Sequence, residues 1–237
     1  MKLALFEALQ EARAEKQAAV LVTELESGEQ SLLLGDKVEG DLEVGGPLRE
    51  AAAEAIRSDK SGLFEERYFL QVFNPPLRLV IVGAVHIAQA LAPLARIAGY
   101  EVTIVDPRKA WATPERFPGL NIVELWPDEG LEALALDHRT AVITLTHDPK
   151  LDDPALQIAL RSPAFYVGSL GSKRTHAKRV ARLEEAGFSA EEIARIHAPL
   201  GLAIGAKSPA EIALSALAQM TQVLRGAEPL VKREPAS

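Results

Sequence analysis

The sequence predicts a doubly wound α/β domain, a parallel sheet with helices on both faces, preceded by a small α+β domain. Short apolar, β-branched runs alternate with helical segments through most of the second part of the chain. These runs are apolar at consecutive positions, which is typical of parallel strands covered on both faces. The two prolines of NPPL (74–77) separate two apolar runs and divide the chain into a domain over 1–74 and a domain over 77–237.

The small domain is predicted to begin with a helix over 2–15, followed by strands in AAVLVTEL and SLLLG. A second helix is expected to start at Pro47, because proline suits a first helical turn, where its missing N–H would have no partner. The run YFLQVF is expected to close the domain as a strand. Between SLLLG and Pro47, the segment VEGDLEVGG (38–46) is predicted to be rich in turns.

The larger domain is predicted to contain five strands. They are expected in LRLVIVG (77–83), EVTIVD (101–106), NIVEL (121–125), TAVITLTHD (140–148) and AFYVGSL (164–170). Helices are expected in IAQALAPLARIAG, DEGLEALALD and DDPALQIALRS. SAEE (189–192) and SPAE (208–211) have the serine and glutamate spacing of capping boxes and mark two later helix starts. A final helix is expected over 211–226, followed by VKREPAS (231–237) as a frayed tail.

Composition argues against several classes of function. A net charge of −7 makes wholesale binding to nucleic acid unexpected, because duplex recognition normally uses a basic face. The chain has no cysteine, which excludes disulfides, thiolate zinc sites, a cysteine nucleophile and a persulfide carried on this chain. Glu7 and Glu11 interrupt the first apolar stretch, and no run of about 18 apolar residues follows. We therefore expect no membrane span and no signal peptide, and a cytoplasmic protein.

The turn after the first strand of the larger domain resembles a dinucleotide-binding turn in part. Ligands of open parallel sheets bind beyond the carboxyl ends of the strands, so each such segment is a candidate. Gly83 suits the tight turn, but Val85 stands where a second glycine would let a pyrophosphate approach. Asp106 ends the second strand, where a carboxylate often contacts ribose hydroxyls. NAD(P) binding, another ligand and a purely structural turn all remain open.

The segment GSLGSKRTH (168–176) is a stronger candidate for binding phosphate. It combines glycines that permit positive φ, serine hydroxyls and cations with the start of a predicted helix. The residues concerned are Gly168, Ser169, Gly171, Ser172, Lys173 and Arg174. The spacing differs from that of a Walker loop, so ATP hydrolysis is not indicated. The five basic residues of KRTHAKRVAR (173–182) would spread widely around a helix, which leaves a solvated surface as the alternative.

His147 and Asp148 follow the fourth strand in LTHDPKLDDP and are expected at the same edge. An imidazole beside a carboxylate can serve as a base or as a metal ligand. Alternatively, Asp148 or Asp152 caps the next helix and His147 only packs. No two histidines have the H-x-x-x-H spacing, so a structural zinc site is not expected.

These motifs together resemble the XdhC/CoxI accessory proteins, which serve molybdenum hydroxylases such as xanthine dehydrogenase, aldehyde oxidase and carbon monoxide dehydrogenase. The resemblance rests on segments that occur in the family's order and cover nearly all of 77–220. They are VGAVHIAQAL, VTIVDPRKAWATPERFP, LTHDPKLDDPAL, FYVGSLGSKRTHAKRVARL and HAPLGLAIGAKSPAEIALSALA. The resemblance also implies a Rossmann-like large domain, and the first part of the chain is similar to the family's smaller domain.

The resemblance implies a maturation factor, not an enzyme in its own right. Such a protein binds the molybdenum cofactor, as molybdopterin or its cytosine dinucleotide form, and protects it while a cysteine desulfurase helps to install the sulfido ligand. It then delivers the cofactor to the hydroxylase apoenzyme, and members are commonly dimeric. The phosphate would lie at the residues of GSLGSKR, with Gly83, Ala84 and His86 as the floor of the site. Polar contacts are expected from Asp106, Arg108, Thr146, His147 and Asp148, and no catalytic or metal-binding residue is expected.

Three positions depart from the family's common pattern. Val85 and Ala203 stand where many members have glycine and aspartate, respectively. Gly45-Gly46-Pro47 lies where many members have a cysteine after a glycine pair, so sulfuration should depend on the partner's cysteine. Two other functions remain as alternatives. One is an NAD(P)-dependent oxidoreductase that uses Asp106 on the ribose and His147 as acid or base, and the other is a scaffold that binds only proteins.

Overall fold

The computed structural model describes residues 2–227, and these fall into two compact units that divide between Pro75 and Pro76. The tail VKREPAS, predicted to be frayed, lies outside the described residues. Within the described range, no helix combines the length and the apolar character that a membrane span requires.

The first unit is a five-stranded antiparallel sheet with two helices. Its elements are α1 (Leu3–Ala14), β1 (Ala19–Glu24), β2 (Gln30–Leu34), β3 (Lys37–Gly40), α2 (Gly46–Ser58), β4 (Gly62–Phe64) and β5 (Tyr68–Phe73). The strand order is β3-β2-β1-β5-β4, with β1 at the centre. Ala19 and Leu21 pack with α1, whereas Val20 and Val22 pack with α2. Both faces of β1 are therefore covered, which explains its unbroken apolar run.

Two strands of this unit were not predicted. Residues Lys37–Gly40 lie in the segment expected to be turns, yet they pair with β2 as an edge strand. Its side chains are exposed or half-buried, and Val38 is the only apolar one, so hydropathy gave no signal. Strand β4 has three residues and pairs with β5 at the opposite edge. Edge strands this short carry too little pattern to distinguish them from turns.

The second unit is a six-stranded parallel sheet. Its elements are β6 (Leu77–Val82), α3 (His86–Ile97), β7 (Tyr100–Val105), β8 (Asn121–Val123), α4 (Pro127–Ala133), β9 (Thr140–Thr144), α5 (Pro149–Arg161), β10 (Tyr166–Ser169), α6 (Lys173–Glu185), α7 (Ala190–Ala194), β11 (Ile196–His197) and α8 (Pro209–Leu224). The strand order β11-β10-β9-β6-β7-β8 is that of a Rossmann fold. The chain reverses its direction of winding between β6 and β9, which is where such sheets usually bind ligands.

Helices cover both faces of this sheet. Leu79 and Ile81 of β6 pack with α3 and α8, whereas Val80 and Val82 pack with α5 on the other face. The doubly wound prediction is therefore confirmed, and so are the capping boxes that begin α7 and α8. Strand β11 was missed because it has only two residues. The fourth predicted strand ends earlier than expected, at Thr144, and α5 begins at Pro149 and not at Asp152.

Candidate functional site

The loops that follow β6, β9, β10 and β11 meet at one edge of the sheet, because these four strands are neighbours and parallel. They contain half of the fourteen residues that the sequence singled out. The geometry differs sharply from one loop to the next. The turn after β6 is closed by contacts within the protein, whereas one cavity lies beside α5 and α6 and a second lies beside the loops after β10 and β11.

Gly83 makes a tight turn in direct contact with the loop after β9. Its φ is +110°, and a Cβ added there would lie 2.6 Å from the Thr146 Cγ2 atom. Glycine is thus needed both for the backbone angle and for the close approach of the two loops. Val85 is the residue that precedes α3, and its half-buried side chain packs against the core. His86 begins the helix and is exposed.

Asp106 is completely buried at the end of β7, and its partners are all in the surrounding loops. Ala84 N donates to its Oδ2 atom at 2.7 Å, and Arg108 donates to both carboxylate oxygens through its backbone N, Nε and Nη2 atoms at 2.7–2.9 Å. Burial alone would raise the pKa of Asp106, but the bonds from Arg108 and Ala84 outweigh it, so the pKa lies below its ordinary value. Both oxygens are therefore engaged inside the protein.

The loop after β9 is held by a second buried carboxylate, Asp152 of α5. It accepts hydrogen bonds from Thr146 Oγ1 at 2.6 Å, Thr146 N at 3.2 Å and His147 N at 3.0 Å. His147 has a left-handed backbone, φ +61°, and an exposed side chain. Asp148 caps α5 by accepting from Lys150 N at 3.0 Å. Of the two aspartates offered as caps, Asp148 has that role and Asp152 fixes the loop.

The segment after β10 is only partly a loop. Gly168 and Ser169 are buried inside the strand, and Ser169 Oγ lies 2.6 Å from Thr144 Oγ1. The expectation that Gly168 supplies a positive φ is wrong, since only Gly171 of this pair has one, +144°. A Cβ at Gly168 would lie 2.7 Å from side-chain atoms of Tyr166 and Leu200, so glycine is required there by packing. Ser172 caps α6, as expected for a helix that begins at this point.

Two cavities meet at His147. The basic cavity, of about 270 Å³, is lined by His147, Pro149, Asp152, Arg174, Thr175, Lys178, Arg179 and Arg182. The apolar cavity, of about 500 Å³, is lined by His147, Leu170, Gly171, Ser172, Lys173, Pro199, Leu200, Gly201, Leu202, Ala203, Gly205, Ala206, Ile212 and Ser215. Of the predicted binding residues, these two walls contain His147, Gly171, Ser172, Lys173 and Arg174. Those outside both walls are Gly83, Ala84, His86, Asp106, Arg108, Thr146, Asp148, Gly168 and Ser169.

Comparison with known proteins identifies the family. Residues 79–220, more than half of the chain, match the XdhC Rossmann domain. This chain belongs to the XdhC family. The fold is also that of a solved structure described as a xanthine dehydrogenase from Bacillus halodurans, with a TM-score of 0.71 and 24% identity, covering 96% of this chain and 66% of the other. At this identity the likeness supports the fold.

Three curated relatives share 30–38% identity with this XdhC chain. The molybdenum cofactor insertion chaperone PaoD of Escherichia coli K12 is 38% identical over 64% of this chain and 41% of its own. The uncharacterized protein YqeB of the same strain is 34% identical over 77% of this chain and 33% of its own length. A Bacillus subtilis 168 protein, described as a probable component of xanthine dehydrogenase, is 30% identical over 65% and 45%. The matched part thus spans less than half the length of each relative.

Sequence reasoning missed how the XdhC loop 199–206 is held against the apolar cavity. Gln219 of α8 accepts hydrogen bonds at its Oε1 atom from Gly201 N at 2.9 Å and from the Tyr166 hydroxyl at 2.6 Å. Burial raises the pKa of Tyr166, and its ring stacks on His197 at 4.7 Å. A polar Gln219 within the largely apolar α8 was the available signal, because a half-buried amide needs partners.

Sequence reasoning also left the basic residues of α6 undecided between a solvated surface and an anion site. Arg179 is only 2% exposed, and Lys178 and Arg182 line the basic cavity with it. Arg182 is paired with Asp153 through its Nη2 atom at 2.9 Å. Among the described residues, no group of three or more histidine, aspartate or glutamate side chains is arranged to hold a metal ion. At this edge, basic side chains of α6 thus line one cavity, and largely apolar side chains line the other.

Proposed function

We propose that this XdhC-family chain is a maturation factor that binds the molybdenum cofactor as cargo and delivers it to a molybdenum hydroxylase of the xanthine dehydrogenase or carbon monoxide dehydrogenase type. Two relatives support this assignment by their names, PaoD as a molybdenum cofactor insertion chaperone and the Bacillus subtilis protein as a probable component of xanthine dehydrogenase. The proposed cargo is molybdopterin or its cytosine dinucleotide form.

The observation that carries this proposal is the pair of cavities that meet at His147. Both forms of the cofactor contain a flat heterocycle and at least one phosphate, so they need an apolar surface beside a basic one. Leu200 and Leu202 provide apolar wall in one cavity, and Arg174 and Lys178 provide cations in the other. Small-molecule sites are typically lined by apolar side chains, with a small number of polar groups that fix the orientation of the ligand.

Sulfuration of the cofactor would involve a partner. Because this chain has no cysteine, it cannot carry a persulfide, and the sulfur would come from the cysteine of a desulfurase. The chain would then hold the cofactor during transfer and release it to the apoenzyme. A cytoplasmic homodimer that contacts both the desulfurase and the hydroxylase is part of this proposal.

Co-expression with cofactor biosynthesis tests the proposal. The chain would be purified from a strain that makes the cofactor and from a matched strain that does not, and molybdenum and pterin would be measured in both. We expect both components only in the first preparation, together with higher activity of a co-expressed hydroxylase. A chain without molybdenum or pterin that also leaves hydroxylase activity unchanged would overturn the proposal.

The Rossmann strand order supports a second candidate, an NAD(P)-dependent oxidoreductase. The turn after β6 argues against it, because Ala84 N and both oxygens of Asp106 are already hydrogen-bonded within the protein. Calorimetric titration with NAD and NADP separates the two functions. We expect neither NAD nor NADP to bind with a micromolar dissociation constant. A micromolar dissociation constant for either one would favour the oxidoreductase.

A further inference from the structure

We infer that the basic cavity is a phosphate-binding site in which buried Arg179 supplies the central positive charge. The ligand class is a phosphate monoester or diphosphate carried on a larger molecule. The identity of that molecule rests on the proposed function, whereas the site itself follows from the contacts and charges of α6 and of the cavity wall. It differs from the nest expected at Gly168–Arg174, because it lies along the side of the helix and extends to Arg182.

Arg179 is the first observation. Its Nη2 atom donates to Leu170 O at 3.0 Å, whereas Nε and Nη1 have no hydrogen-bond partner within the described residues. Burial lowers the pKa of Arg179, although Asp152 and Asp153 act in the opposite direction. A guanidinium stays protonated in proteins, so its charge persists. A buried charge with incomplete partners is costly, and an anion in the adjacent cavity would offset that cost.

The spacing of the other cations is the second observation. Arg174, Lys178 and Arg182 follow one another at intervals of four residues, so they lie on one face of α6. Like charges at this spacing repel and destabilise an isolated helix. The chain as a whole is acidic, with a net charge of −7, so this concentration of positive charge is local. A bound dianion would attract these cations and offset their mutual repulsion.

Two carboxylates near the cavity, Asp152 and Asp153, offset only part of the charge of the four cations in its wall. Asp152 is the one carboxylate in its wall, and its oxygens accept hydrogen bonds from Thr146 and His147. Asp153 pairs with Arg182. Arg174 and Lys178 line the cavity with exposed side chains, which leaves them accessible to an anion.

The size of the cavity limits what it can hold. Pockets for whole small molecules have volumes of about 300–1,000 Å³, and the basic cavity, at about 270 Å³, is smaller. It therefore suits one charged group of a ligand whose remainder lies elsewhere. Because His147 lines both cavities, a ligand with its ring system in the apolar cavity would reach the basic one past this side chain.

Calorimetric titration with inorganic phosphate and pyrophosphate at constant ionic strength, with chloride as the reference anion, tests the site. Arg179→Met removes the buried charge and keeps an unbranched side chain, and Lys178→Met removes an exposed one. Arg96→Met, at an exposed position of α3, is the matched control. We expect Arg179→Met to weaken phosphate binding by about 10-fold to 100-fold, as for loss of a charged hydrogen-bond partner. Lys178→Met should weaken it less, and Arg96→Met should leave it unchanged.

A thermal melt distinguishes a binding role from a structural one. Without phosphate, Arg179→Met should change the melting temperature only slightly, because it removes a costly buried charge but also the bond to Leu170 O and the attraction to Asp152. Phosphate should raise the melting temperature of the unchanged chain more than that of Arg179→Met, because the variant binds it more weakly. Wild-type protein that fails to bind phosphate, or an Arg179→Met variant that binds it as well as Arg96→Met does, would overturn the site. If Arg179→Met does not fold, equal affinity of Lys178→Met and Arg96→Met would overturn it.

The same variants separate this inference from the proposed function. If the chain binds phosphate through Arg179 but never acquires molybdenum or pterin, the phosphate site is supported and the proposed maturation function is rejected. Full loading of Arg179→Met with molybdenum and pterin in the co-expression strain would keep the maturation role and reject the site.

Discussion

Two regions at the same edge of the parallel sheet treat their polar groups in opposite ways. In the turn after β6, Asp106, Ala84 N and Arg108 satisfy one another within the protein. Along α6, Arg179 is buried with two guanidinium nitrogens unpartnered among the described residues. A Rossmann strand order therefore does not decide which loop binds. We propose that the unsatisfied polar groups do, since those of the closed turn are bonded within the protein, whereas two nitrogens of buried Arg179 have no partner among the described residues.

Two buried aspartates at this edge of the sheet, Asp106 after β7 and Asp152 of α5, also differ in their electrostatics. Hydrogen bonds from Arg108 and Ala84 overcome burial and lower the pKa of Asp106, whereas burial dominates and raises the pKa of Asp152. The first carboxylate is stabilised as an anion by its turn. The second holds Thr146 and His147 in place at the cavities despite its burial.

Gly83→Ala should have the largest effect on the closed turn. Its Cβ would lie 2.6 Å from Thr146 Cγ2, at a φ of +110°. We expect a loss of about 3 kcal/mol in the free energy of unfolding, from backbone strain and overpacking together. Gly99→Ala is the control, because Gly99 has φ +90° with open space around it. Denaturant unfolding of both variants measures the difference, and equal losses would show that the turn is not tightly packed against Thr146.

Asp106→Asn should cost about 2 kcal/mol at pH 7, because it breaks charge-assisted hydrogen bonds to a buried group. The folded-state pKa of Asp106 lies below its ordinary value, so its contribution is complete above the unfolded-state pKa, near 4. That contribution is lost as the pH falls through the folded-state pKa. Unfolding measured from pH 7 to pH 2 should show the variant and the unchanged chain converging in acid.

Carbon-13 titration of the aspartate carboxyl groups provides the direct check on both residues. Asp106 should titrate below 3.8 and Asp152 above it. The opposite order would contradict the contrast drawn between the two regions.

Gln219→Leu should loosen the loop of the apolar cavity at a cost of about 1–2 kcal/mol, since it leaves the Tyr166 hydroxyl without its acceptor. The Gly201 amide should then exchange its hydrogen faster, because the bond to Gln219 Oε1 is lost. Gln222→Leu, one turn further along α8, is the comparison variant. Unchanged exchange at Gly201 in Gln219→Leu would show that α8 does not hold this loop.

Val85→Gly should have the smallest effect, about 1 kcal/mol or less, from the loss of a half-buried side chain and a more flexible backbone. It restores the second glycine of the dinucleotide pattern. We expect no gain of NAD binding, because Ala84 N and Asp106 remain bonded to each other. Calorimetry that detected NAD binding only in this variant would show that the Val85 side chain was the obstacle.

Much of the fold could be predicted because it depends on local pattern. Consecutive apolar residues such as Leu79–Val82 predict covered strands, and Ser208 with Glu211 predicts the start of α8. The candidate site depends on longer-range contacts. The bond from Ala84 to Asp106 spans 22 residues, and Gly168 is explained by Tyr166 and Leu200. The burial of Arg179 had no signal in a helix as polar as KRTHAKRVARLEE.

Hydrogen–deuterium exchange tests the central claim, that the ligand occupies the β9, β10 and β11 loops and not the turn after β6. Protein from the strain that makes the molybdenum cofactor would be compared with protein from the strain that does not. We predict slower exchange on loading in residues 146–149, 170–178 and 199–206, which contain residues of the two cavity walls. Protection confined to residues 83–87 and 106–112 would contradict the account and return the binding site to the turn after β6.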